Sequence, residues 1–112
     1  MLVNTELTLY HYVQENGTYI RHNYDKVWWN GGKGAGISKG YENANDVDVR
    51  IPYDMNKNLN ANDIAIGDII IKGKLLQDIT SQQDLNQKDI YTITSILDST
   101  FGLNQHIYLG GK

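Results

Sequence analysis

The stretch "ELTLYHYVQENGTYI", Glu6–Ile20, decides how this chain is read. Leu7, Leu9, His11 and Val13 fall on one face of an extended segment, and Thr8, Tyr10 and Tyr12 on the other. Period-two alternation rich in aromatic and β-branched residues marks a strand. Asn16-Gly17 follows, the strongest short hairpin signal. The segment "TYIRHNYDKVWW", Thr18–Trp29, is therefore expected to return as the partner strand or strands. Asn16-Gly17-Thr18 also matches a glycosylation sequon. The N-terminus "MLVNTELTLY" has neither a basic region nor a long apolar core, so no signal peptide is expected. The hairpin turn is the better account of those three residues.

The same reasoning extends along the chain. "DVDVRIPY" sets Val47, Val49, Ile51 and Tyr53 against Asp48 and Arg50, and Pro52 places its end at a strand terminus or edge. "DMNKNLNANDIAIGD" is polar and breaks regular structure, with a turn at Gly67-Asp68. "DIIIKGKLL" is a continuous apolar strand, closed or bulged at Gly73. "TSQQDLNQ" suits one helical turn, capped by Thr80 or Ser81 with Gln83 or Asp84 at its third position. "DIYTITSIL" is a further strand, "DSTFG" a turn, and "QHIYLGG" a short last strand. With no repeat and no domain boundary, residues 1–112 form a single barrel-like domain. The fold class is all-β: a small barrel or sandwich of about six strands, with long loops and at most one short helical turn.

Composition narrows the function. The chain is 40% hydrophobic and 21% charged, as expected of a globular domain. A net charge of −3 argues against a general nucleic-acid-binding surface. There are no cysteines, so disulfides and thiolate metal sites are impossible. No run of about 18 apolar residues exists to cross a membrane as a helix. His11, His22 and His106 lack metal-ligand spacing, and the Asp and Asn runs lack the glycine and closing glutamate of a calcium loop. Ser38, Ser81, Ser95 and Ser99 have no nucleophile-elbow context. No catalytic constellation is announced, so enzymatic activity is not expected, and no cofactor is implied.

Two features remain. The first is "WNGGKGAGISKGYENAND", Trp29–Asp46. Lys33 and Lys39 fail the phosphate-loop pattern because neither has the glycine before and the hydroxyl residue after that the chemistry needs together. The glycines fail the dinucleotide spacing: Ile37 and Lys39 stand where the third glycine belongs. What is left is a connection of roughly 17 residues, a length usually functional or disordered. Its candidate residues are Asn30, Gly31, Gly32, Lys33, Gly34, Gly36, Lys39 and Gly40. The second feature is "KVWW". In a strand Trp28 and Trp29 point to opposite faces. One fills the core, and the other, with Tyr24 and Lys26 on its side, is expected outside or at an interface. Tyr10, Tyr12, Tyr24 and Trp28 are thus the candidate interface aromatics.

The order of these segments carries a resemblance. Trp29-Asn-Gly-Gly, then "DVDVRIPYD" (Asp46–Asp54), "IGDIIIKGK" (Ile66–Lys74), "TITSILDSTFG" (Thr92–Gly102) and "QHIYLGGK" (Gln105–Lys112) together resemble small neck proteins of tailed phages and prophages of Gram-positive bacteria. These are the head-closure (stopper), head–tail connector and minor capsid proteins. The likeness covers nearly the whole chain, with "GDIIIKG" and the C-terminal segments the most specific. It departs at Ile107, where the relatives tend to carry an aromatic directly after Gln-His; here the aromatic is Tyr108. The resemblance implies a small β-barrel that assembles with copies of itself as a ring between the portal or adaptor and the tail. It also implies a place in the virion, after assembly in the host cytoplasm, and no membrane partner. In head-closure proteins the long loop before a "PYD"-like turn reaches into the ring channel and helps hold packaged DNA. Here Asn30–Asn45 occupies that place, ahead of Ile51–Asp54. The alternative is a stand-alone carbohydrate- or surface-binding β module, which would use the aromatics for stacking.

Overall fold

The structure is a computed structural model that describes residues 2–31, 46–85 and 90–112. Six strands follow one another: β1 (Thr5–Val13), β2 (Thr18–Gly31), β3 (Val47–Pro52), β4 (Ile69–Lys72), β5 (Ile90–Ser99) and β6 (His106–Gly111). They close into a barrel in the order β1-β2-β3-β6-β5-β4, with β4 returning to β1. Every neighbouring pair is antiparallel. Among the described residues the only helical pieces are 3-10 turns at Ala61–Asp63 and Gln82–Asp84. The expected all-β barrel of about six strands is the fold observed.

The opening hairpin forms as its sequence dictates. Val13 pairs with Thr18, Gly17 adopts φ +66°, and its N–H donates to the Val13 carbonyl at 2.9 Å. The Asn16 side chain accepts from the Thr18 amide and hydroxyl, an Asx turn that accounts for all three sequon residues. Alternation then sorts the side chains. Leu7 and Leu9 of β1, Val47, Val49 and Ile51 of β3, and Ile107 and Leu109 of β6 meet inside the barrel with Trp29 and Tyr91. Trp29 and Tyr91 pack edge-on, ring centres 5.7 Å apart.

The run Ile69-Ile70-Ile71 is apolar throughout because β4 is covered on both sides. Ile70 faces the barrel interior. Ile69 and Ile71 face outward, under a strap formed by the chain after Gly73, where Ile79 and Leu85 cover them and Tyr10. The strap is held by polar contacts to β1 and β2. Tyr10 Oη donates to the Gln77 carbonyl at 2.6 Å. Thr8 Oγ1 donates to the Gly73 carbonyl and accepts from the Leu75 amide. Asn23 Nδ2 bridges Thr8 Oγ1 and the Leu75 carbonyl, both at 3.0 Å. Arg21 donates to the Leu76 carbonyl and pairs with Asp78. The anticipated helical turn caps itself at Ser81, with Asp84 at its third position. Asp84 Oδ2 accepts from the Thr80 amide and hydroxyl and from the Ser81 amide, which holds its carboxyl below the usual range.

β2 leaves β1 for β3 partway along its length, and two asparagines stitch the crossing. Asn4 accepts from the Trp29 amide at 2.9 Å and donates to the Trp29 carbonyl at 3.0 Å, so its carboxamide takes the place of a strand partner. Asn56, 4% exposed, donates to the Lys26 and Pro52 carbonyls and accepts from the Lys26 amide. Between them β2 bulges: Thr5 pairs with Val27 but Leu7 pairs with Tyr24, so β2 carries one extra residue.

Candidate functional site

The bulge corrects one expectation about the aromatics. Simple alternation puts Tyr24 and Trp28 on one face. The extra residue turns Tyr24 inward with Val27 and Trp29, and it is fully buried. Its hydroxyl is buried with no hydrogen-bond partner among the described residues, and burial, aided by nearby Asp63, pushes its pKa up. Tyr10 is corrected too. It does lie on the outer face of β1, but the strap covers it completely, so it is an anchor and not an interface residue. Of the four candidates, Tyr12 (41% exposed) and half-buried Trp28 remain at the surface.

Trp28 heads a row that crosses four strands. It pairs in register with Arg50 on β3, Arg50 with Tyr108 on β6, and Tyr108 with Leu97 on β5. These side chains point away from the interior because Val49, Ile51, Ile107 and Leu109 point in. Ile107 therefore lies inside and Tyr108 stands on the outer wall. The Arg50 guanidinium lies over the Trp28 ring, 5.0 Å from its centre, a cation–π arrangement that orients the fork. Arg50 makes no ion pair among the described residues, whereas Arg21, the other arginine, holds Asp78 at 2.9 Å. Tyr108 Oη donates to Asp48 Oδ1. Below the row, Leu2, Trp28, Arg50, Asn104 and His106 line an open groove of about 470 Å³.

The row continues onto the β5–β6 hairpin, which ends in an arm. Phe101 and Leu103 at its tip are 94% and 93% exposed, and Leu97 is 63% exposed. The tip is shaped by two left-handed residues, Gly102 (φ +71°) and Asn104 (φ +58°). His106 Nδ1 lies 2.7 Å from the Asn104 carbonyl, and Gln105 Nε2 donates to the Gly102 carbonyl. At the arm's base Tyr53 Oη donates to Asp98 at 2.6 Å. Burial first, then that bond and the carboxylate's charge, raise the Tyr53 pKa to about 12.

A second groove, of about 500 Å³, opens at the β1–β2 turn. Tyr12 and Tyr19 (ring centres 5.1 Å apart), Ile66 and Glu15 line it. Its floor is Asp68, 2% exposed, which accepts from His11 Nδ1 at 2.6 Å, the Ala65 amide at 2.8 Å and the Tyr12 amide at 3.1 Å. The Gly67-Asp68 turn found in the sequence therefore also clamps β1 to the approach to β4, a role its spacing did not announce.

Of the glycine-rich connection, Asn30 and Gly31 belong to β2. Gly32, Lys33, Gly34, Gly36, Lys39 and Gly40 lie outside the described residues. Gly31 has a specific structural duty. Its φ is +98°, and a Cβ there would stand 2.4 Å from the Asp46 carbonyl oxygen. Gly31 pairs with Val47, so the connection leaves and re-enters the barrel at adjacent positions. Among the described residues no group of three His, Asp or Glu could hold a metal ion. Among the described residues no helix is long and apolar enough to cross a membrane.

The fold and surface define a small closed β-barrel with an aromatic outer wall and a projecting apolar arm. The chain belongs to the family of unknown function DUF6751, whose model matches residues 2–112. Neither the curated proteins nor the solved structures provide a match to it.

Proposed function

We propose that this chain is a structural virion protein of the phage head–tail interface. It acts as a head-closure or connector ring subunit that joins the portal complex to the tail and helps retain packaged DNA. The observation that carries this reading is the outer wall Trp28–Arg50–Tyr108–Leu97 and its continuation to Phe101 and Leu103. Tryptophan, tyrosine and arginine dominate the energetics of protein interfaces. Two apolar side chains more than nine-tenths exposed at one hairpin tip call for a covering partner. Closing the barrel leaves faces and loops, rather than free strand edges, to make contacts. The order of segments along the sequence supports the same assignment.

The connection between Gly31 and Asp46 keeps its proposed role as the element that enters the ring channel, with Lys33 and Lys39 meeting DNA phosphates or acidic groups of a neighbour. The reading requires no catalytic group and no cofactor, and it puts the protein in the virion neck after assembly in the bacterial cytoplasm. A carbohydrate-binding module would need an open aromatic platform. Tyr10 and Tyr24 are buried and the Trp28 ring carries Arg50, which weakens that alternative.

The test is incubation with purified portal–adaptor complexes followed by electron microscopy. A ring of added density at the outer end of the portal is expected, and its absence would count against the assignment. Particles assembled with residues 32–40 deleted are expected to leak DNA; full retention would remove the channel role while leaving the ring role standing.

A further inference from the structure

We propose that copies of this chain join head to tail, the β5–β6 arm of one copy seating in the β1–β2 groove of the next. This rests on the ring reading and names its contact.

The arm is a formed knob. Residues 99–105 carry no charge, and their two left-handed residues hold Phe101 and Leu103 outward. Their exposure shows that the arm does not reach the groove of its own chain. The groove offers the matching chemistry: Tyr12 and Tyr19 in aromatic contact, with Ile66 67% exposed beside them. One opposite-charge pair is available as well, Arg50 with Glu15. The arm side presents Arg50, which has no ion pair among the described residues, together with the carboxylates Asp48 and Asp98, each accepting a tyrosine hydroxyl, and exposed Asp54. The groove side presents exposed Glu15, its other carboxylate, Asp68, being satisfied by His11 and two amides. An uncharged apolar knob thus faces an aromatic groove, with Arg50 beside the knob able to pair with Glu15 at the groove's edge.

Knob and groove lie on different strand pairs, so the contact is heterologous. Such a contact repeats from copy to copy and closes into a ring when the rotation per step allows. It also makes a prediction that a symmetric dimer contact does not. An arm variant keeps a good groove, and a groove variant keeps a good arm.

The experiment is sedimentation velocity over a concentration series with three proteins: the natural chain, Phe101→Ser/Leu103→Ser, and Tyr12→Ser/Ile66→Ser. All four positions are exposed, and thermal unfolding checks that each variant folds. The natural chain is expected to associate as concentration rises. Each variant alone should associate at least about tenfold more weakly, the loss typical of removing an interface anchor. An equimolar mixture of the two variants should form a dimer and stop there. A natural chain that stays monomeric at its highest soluble concentration overturns the proposal. So does a natural chain that associates while the mixture does not form the dimer. The portal experiment separates this from the parent reading: rings that form on the portal from the Phe101→Ser/Leu103→Ser chain would retain the neck assignment and reject this contact.

Discussion

Gly31→Ala offers a controlled measurement of how tightly the long connection is tied to the barrel. Three glycines share nearly the same backbone angle: Gly31 at φ +98°, Gly67 at +97° and Gly73 at +99°. An alanine at any of them suffers the strain of that region, about 1–3 kcal/mol. They differ in what a Cβ would meet. Nothing lies within 4 Å at Gly67 or Gly73, whereas at Gly31 the Asp46 carbonyl oxygen stands at 2.4 Å and the Val47 Cα at 3.3 Å. Ordinary contact begins at 3.4 Å, so the strands must part by about 1 Å. The neighbouring Asp46 amide bond to the Gly111 carbonyl, now 2.8 Å, would not survive that opening, and the Gly31–Val47 pairing would weaken with it. Two backbone hydrogen bonds contribute about 0.5–1.5 kcal/mol each. Gly31→Ala should therefore cost about 1–3 kcal/mol more than either control, a large share of the roughly 5–15 kcal/mol that holds a small domain together. Equilibrium unfolding in urea, with equal m-values across the three variants, reads this directly. If all three destabilise the chain equally, to within about 0.5 kcal/mol, the close approach at the base of the connection has no energetic weight and the reasoning fails.

Other outcomes follow from the packing and the titrations. A Cβ on Gly111 would meet Val47 Cγ2 at 2.9 Å, Ile70 Cδ1 at 3.2 Å and Tyr91 Cβ at 3.3 Å, so Gly111→Ala should overpack the barrel and cost about 1–3 kcal/mol in denaturant unfolding. Tyr10→Phe keeps the ring under the strap but removes the bond to the Gln77 carbonyl, a loss of about 1 kcal/mol that should also speed proteolysis between Gly73 and Leu85. Tyr10, Tyr24 and Tyr53 all have raised pKa values, burial being the first cause in each. The fold favours their neutral phenols, so this contribution is fully present below the unfolded value of 10.0 and is lost as pH climbs through the folded values, about 12 for Tyr53. Melting temperature should fall between about pH 10 and 12, and Tyr53→Phe should flatten part of that fall; a melting temperature constant over the window would contradict the burial.

What the sequence announced and what it concealed divide along a physical line. The β1–β2 hairpin, the inward valines of β3, the capped turn at Ser81 and the close of β4 at Gly73 all arise from interactions between residues near in sequence, and pattern reading reaches them. Simple alternation misplaces Tyr24 because a one-residue bulge inverts it, and Asp25-Lys26 carries no glycine to mark the bulge. Alternation puts Tyr10 on the outer face, where it lies, but only the tertiary path of the chain after Gly73 shows that Ile79 and Leu85 return to cover it. The continuous run Ile69-Ile70-Ile71 was the available clue: a strand apolar on both faces needs cover on both. Nothing in the sequence pattern marks Asn4 or Asn56, yet they complete the hydrogen bonding of β2 where it changes partner. In the candidate site, Trp28 was legible from its pairing with Trp29, but the Trp28–Arg50–Tyr108–Leu97 row was not, because it is assembled from four strands.

The strap over β1 and β4 also divides the molecule by how easily its parts open. The amides of Leu7–Tyr10 in β1 and of Ile69–Ile71 in β4 lie among buried side chains on both faces, so in solvent deuterium they should exchange last, at the rate of global unfolding. Beyond Ile96 the β5–β6 arm has no such cover, and its amides should exchange through local fraying. A chain built this way lets its arm open locally while the wall beneath the strap keeps its register, so fluctuation is concentrated at the arm.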